Sequence, residues 1–81
     1  MRALTIEGFE VAVTVDEEWT WAAPRTAEGA AHFGVHSLAR TSPSLRQRRA
    51  AHAEEIRAEA LRVYGEAPAS VGWHFDGYMA D

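Results

Sequence analysis

The residues of this chain that could carry acid–base or metal chemistry are four histidines and twelve carboxylates, and their spacing limits what they can do. His32 and His36 stand at i, i+4, which on a helix would turn two imidazoles to one side for a metal ion. Gly34 lies between them and no third ligand is near in sequence, so neither a metal nor a cofactor site is expected. His74 and Asp76 would form an acid–base pair only in a sheltered setting, and His52 reads as a partly buried helix residue with a local hydrogen bond. The adjacent pairs Glu17-Glu18 and Glu54-Glu55 point in different directions on a strand or a helix, so they cannot close on one substrate. With no cysteine there is no thiolate or disulfide chemistry. A strand-to-helix glycine-rich phosphate loop and a nucleophile elbow are also missing. No catalytic residues are assigned, and an enzyme is not expected.

Binding chemistry is better represented. Residues 1–24 set Arg2 against Glu7, Glu10, Asp16, Glu17 and Glu18, residues 25–49 carry five arginines against Glu28, and residues 50–81 are acidic again. The acidic turn Asp16-Glu17-Glu18 is flanked by Trp19 and Trp21. Clustered carboxylates beside aromatic anchors can dock on an arginine-rich groove or imitate a nucleic-acid backbone. Glu10, Glu17, Glu18, Trp19, Glu54, Glu55 and Glu59 are therefore the candidate partner-binding residues. The competing surface is basic: Arg40, Arg46, Arg48 and Arg49 surround a predicted helix N-terminus, where exposed N–H groups already favour an anion such as a phosphate.

The elements that must position these groups are legible in part. Phe9, Val11, Val13 and Val15 alternate with polar or small residues at the period of a half-buried strand. Leu4 and Ile6 have the opposite parity, so Glu7-Gly8 is read as a tight hairpin turn, with a bulge as the alternative. Trp19-Thr20-Trp21 begins a third strand that Pro24 ends. Residues 25–41 admit two readings: a short helix capped by Thr26, or a short edge strand over Phe33-Gly34-Val35-His36. Ser42 is an N-cap, Pro43 fits the first helical position and Gly65 stops the helix, which predicts one amphipathic helix over about 43–64. Leu45, His52, Ile56 and Val63 share its inner face, with Arg49, Ala60 and Tyr64 beside them, while Leu61 points away toward a second contact.

Residues 26–35 resemble the first helix and turn of a helix-turn-helix unit, in which a small residue precedes a turn glycine by four positions and an apolar residue follows it. Past Val35 the likeness departs. Arg40 occupies a place where such units bury an aliphatic residue, and Ser42-Pro43 would interrupt the second helix.

The expected fold is a single α+β domain over residues 1–81, with an antiparallel sheet of three to four strands (3–7, 9–15 and 19–23, extended by 33–37 or 71–76) against that one long helix. Its expected core is Leu4, Ile6, Phe9, Val11, Val13, Val15, Trp19 or Trp21, Leu45, Ile56, Val63 and Tyr64. No apolar run approaches a membrane span and no secretion signal opens the chain, so a cytoplasmic protein is expected. The expected function is a small non-enzymatic inhibitor or regulator, phage-type and anti-CRISPR-like, that occupies a surface of a larger protein or ribonucleoprotein. A DNA-binding regulator using the helix-turn-helix-like middle segment 26–49 is the alternative. A third reading is an antitoxin or accessory subunit that pairs through its sheet edge, as a homodimer would.

Overall fold

The alternating segment forms the strand on which the sheet is built, β2 (Phe9–Val15), and β1 (Ala3–Ile6) pairs antiparallel with it in the register Leu4↔Val11 and Ile6↔Phe9. Between them Glu7 and Gly8 hold φ of +52° and +86°, the doubly left-handed backbone of a two-residue hairpin turn. That turn produces the change of parity between Ile6 and Phe9, so the hairpin reading stands. The computed structural model, which describes residues 3–35 and 42–75, continues into β3 (Trp19–Pro24), antiparallel to β2 with Val13 opposite Ala22.

A fourth strand, β4 (Ser70–Trp73), completes the sheet in the order β1-β2-β3-β4, but it runs parallel to β3. The sheet is therefore mixed, a correction to the all-antiparallel expectation. Its cause is the connection. Three helices lie between β3 and β4, and a helical crossover carries the chain back along the sheet so that the next strand starts where the last one did.

The first of these, α1 (Ala27–Phe33), resolves the ambiguity of the middle segment as far as Val35. Thr26 Oγ1 accepts the Gly29 N–H at 3.0 Å, and Gly34 closes the helix with φ +74°. Phe33 is the last residue of this helix, so the edge strand expected from Phe33 onward does not form there; His36 and Arg40 lie outside the described residues.

The predicted helix over 43–64 has the expected ends but is not one rod. Ser42 Oγ caps Leu45 N–H at 3.2 Å and Gly65 takes φ +77°. Between them the helix bends at Ala51-His52 into α2 (Pro43–Ala50) and α3 (Ala53–Tyr64), with His52 N–H donating to the Arg49 carbonyl in a tightened turn. No proline or glycine sits at the bend. It arises because the two halves serve different surfaces. The α2 segment packs on α1, where Arg48 Nη1 and Arg49 Nη1 each donate at 2.7 Å to the carbonyls of His32 and Phe33, whereas α3 lies across β2 and β3.

The core is a cluster of Ile6, Val11, Val13 and Ala22 from the sheet with Phe33, Ile56 and Ala60 from the helices, and Leu4, Phe9 and Val15 pack against it. The expected core positions at Trp19 or Trp21, Val63 and Tyr64 are corrected. Trp19 and Trp21 lie on the face of the sheet away from the helices, and Val63 and Tyr64 are exposed. Tyr64 instead donates its hydroxyl to the Val13 carbonyl at 3.0 Å, one residue beyond the last β1–β2 pair. Leu45 is half-buried, and Leu61, expected to meet a second contact, is 58% exposed on the side away from Ile56. Among the described residues no helix is long and apolar enough to cross a membrane.

Candidate functional site

The described helices contribute to one side of the sheet, and among the described residues no helix packs on the other. The alternation that sends Val13, Ala22 and Val71 inward turns Thr14, Trp21 and Gly72 outward in one row. Trp21 is half-buried there because Gly72 has no side chain. A Cβ at Gly72 would lie 2.4 Å from the Trp21 ring, so the indole rests directly on the β4 backbone.

The ring is fixed from three sides. Its Nε1–H donates to Asp16 Oδ2 at 2.8 Å, Trp19 stacks on it at 5.3 Å between centroids and 25° between planes, and His74 meets it edge-on at 5.4 Å. Asp16 Oδ1 also accepts the backbone N–H groups of Glu18 at 2.9 Å and Trp19 at 2.7 Å. These bonds, the Trp21 one foremost, hold the Asp16 carboxyl below its ordinary value. Asp16 is thus the residue that shapes the turn, and Glu17 and Glu18 are left exposed at its tip. Asp16, Glu17, Glu18 and Trp19 line a shallow depression of about 400 Å³.

The other predicted acidic residues do not join this surface. Glu10 faces the same side of the sheet, but six residues down β2 it is about 20 Å away. Glu54, Glu55 and Glu59 lie on α3, across the sheet. Of these, Glu54 is exposed, Glu55 hydrogen-bonds His52, and Glu59 is 9% exposed and accepts from Arg62 Nε and Nη2, which removes it from any partner surface. The basic alternative is also divided. Arg48 and Arg49 are each turned toward α1 carbonyls through Nη1, Arg46 is exposed, and Arg40 is outside the described residues. The helix-turn-helix resemblance departs further in space, because α1 ends at Phe33 and the next described helix begins only at Pro43, against the 3–4-residue turn such units have.

One cluster was not anticipated. Glu7, at the β1–β2 turn, bridges His32 of α1 at 2.7 Å and His52 of the helix bend at 2.6 Å, and His52 also bonds Glu55. Glu7 and His52 are 45 positions apart in the chain, and only the fold assembles the four residues. Among the described residues no three such side chains converge as a metal-binding set.

This latch predicts a pH optimum. Hydrogen bonds from His52 and then His32 lower the Glu7 pKa; partial burial pulls His52 down, but Glu7 and Glu55 overcome it and leave His52 raised. The Glu7 contribution is present above its unfolded pKa and is lost as pH falls through its lower folded value. The His52 contribution is complete below its unfolded pKa of about 6.5 and is lost as pH rises through its higher folded value. The latch is tightest near about pH 5–6, so the thermal midpoint should fall by a few degrees between about pH 6 and pH 8.5. Glu7→Gln should flatten that slope; a slope unchanged in the variant would assign the pH dependence elsewhere.

No protein-family model matches the chain, and no curated protein or solved structure matches it either. The functional reading rests on the surfaces themselves.

Proposed function

We propose that the protein is a small, non-enzymatic binding protein that acts by occupying an arginine- or lysine-rich surface of a larger partner. The observation that carries this reading is the acidic, aromatic end of the sheet face turned away from the described helices: Trp19, 39% exposed, stacked on an immobilised Trp21 beside the exposed carboxylates of Glu17 and Glu18. A guanidinium or ammonium group is attracted to an indole face and to carboxylates alike, so one basic side chain satisfies both parts of the site. Because Asp16 and Gly72 already hold the rings, little ordering entropy is lost on binding. Basic surfaces of this kind are what nucleic-acid-handling complexes present to their substrate. An inhibitor that covers one, in the cytoplasmic, phage-type and anti-CRISPR-like manner expected from the sequence, competes with nucleic acid by charge and area.

The test uses an oligo-arginine peptide as the probe, with tryptophan fluorescence as the readout and a mixed-sequence DNA duplex as the contrast. The peptide should bind and the duplex should not, even near 50 mM salt. Reversing Glu17 and Glu18 together to Arg should weaken peptide binding by more than about tenfold, since like charges then face each other. Duplex binding that weakens steeply with salt and disappears in Arg46→Glu would overturn the proposal in favour of a DNA-binding regulator.

A further inference from the structure

On the other side of the sheet, a cavity of about 610 Å³ opens between the end of α1, α2, the start of α3 and β4. Its size falls within the range of small-molecule sites, roughly 300–1,000 Å³. Among the described residues, Val35, Ala53, Val71 and Trp73 give it an apolar lining, and its charged groups are Arg46 and Arg49. Trp73 is a firm wall, because its ring packs against the buried Phe33 at 4.9 Å.

The arginines give the cavity its chemistry. Arg49 is oriented by the carbonyls of Phe33 and Gly34 through Nη1, at 2.7 and 3.3 Å, and the rest of its guanidinium fork remains available. Burial, with the nearby charge of Arg46 adding to it, depresses the Arg49 pKa. Among the described residues neither arginine is ion-paired with a carboxylate. Two cations close enough to disfavour each other, at the lip of a cavity with apolar walls, favour an anion. Carbonyl contacts orient Arg49 but cancel no charge, so the complementary occupant is negative at one end and apolar over its body.

We infer that this cavity is a binding site for a small aromatic anion, with its carboxylate or sulfonate against Arg46 and Arg49 and its ring between Trp73, Val71 and Ala53. The site is independent of the Trp19–Trp21 surface, since the sheet separates them. A partner's acidic peptide would meet the same arginines but would not need the apolar volume beside them.

The experiment titrates the intact protein with 8-anilinonaphthalene-1-sulfonate, following probe fluorescence, and repeats it with the uncharged parent N-phenyl-1-naphthylamine. Saturable one-to-one binding is expected, weakened by about tenfold or more in Arg46→Glu and for the uncharged probe. Arg46 is exposed, so that substitution leaves the fold intact, which far-UV circular dichroism verifies. Ala53→Trp, which fills the cavity, should abolish binding; if that chain does not fold, the Arg46 variant and the uncharged probe decide the matter. No saturable binding, or equal affinity for both probes, or an Arg46→Glu variant that binds as the parent does, would overturn the inference. Probe that binds the folded Ala53→Trp variant as tightly as the parent would also overturn it, because the apolar volume would then be irrelevant.

Discussion

Phe33→Ala is expected to remove a large fraction of the stability of the fold. The side chain is fully buried, and its ring meets Trp73 at 4.9 Å, His32 at 4.8 Å, and Phe9 and His52 each at 6.2 Å. It is therefore the point at which the sheet, α1 and the helix bend touch one another. Removing a buried phenylalanine costs about 3–5 kcal/mol, through lost transfer energy and the cavity left behind. A domain of this length has roughly 4–12 kcal/mol in total. The loss should also disturb the Glu7 latch, because His32 and His52 both lean on the ring. Urea unfolding followed by circular dichroism measures the effect. A loss below about 1 kcal/mol would mean that α1 is not docked as described, since such a small value belongs to surface positions.

That Phe33 escaped the sequence reading has a physical reason. Its neighbours Gly34 and Val35 are consistent with a strand, and only the Thr26 cap and the left-handed Gly34 identify the seven residues between as a helix. Where local signals were sufficient, the reading held: the parity change at Glu7-Gly8, the Ser42 cap, the Pro43 start and the Gly65 stop are each decided within a few residues. The bend at Ala51-His52 is not local. It depends on Arg48 and Arg49 reaching carbonyls sixteen residues earlier and on His52 reaching Glu7, forty-five residues earlier.

The surface proposed for binding was legible to the same degree. Asp16-Glu17-Glu18 beside two tryptophans could be read as an acidic, aromatic turn, and the i, i+2 spacing already placed both indoles on one side of a strand. Which side is exposed depends on where the helices go, and that follows from the parallel crossover to β4, which no short pattern predicts. Glu59 shows the opposite error. Its carboxylate counts as surface charge in a sequence, yet Arg62 one turn later holds it with 2.7 and 2.8 Å bonds at a half-buried edge of α3.

Gly72→Ala should damage both stability and binding, although by backbone preference alone it ought to be favourable. Glycine inside a strand costs conformational entropy, and alanine usually recovers some of it. Nor does the backbone demand glycine here, as it does at Gly8, Gly34 and Gly65, where φ is positive. The sign is decided by the indole: an added Cβ would stand 2.4, 2.8 and 3.1 Å from three carbons of Trp21. To escape, the ring must lift from β4, which breaks its bond to Asp16 and its stack with Trp19. Overpacking of this kind costs about 1–3 kcal/mol. The near-ultraviolet circular dichroism of the tryptophan pair should weaken and the oligo-arginine peptide should bind less tightly. A second substitution separates this cause from a general fault in β4. In a Trp21→Ala background the clash is absent, so adding Gly72→Ala should be neutral or stabilising, and the two changes should couple by about 1 kcal/mol or more. If they simply add, Trp21 does not rest on Gly72, and the preorganised aromatic surface on which the binding proposal depends is lost with that contact.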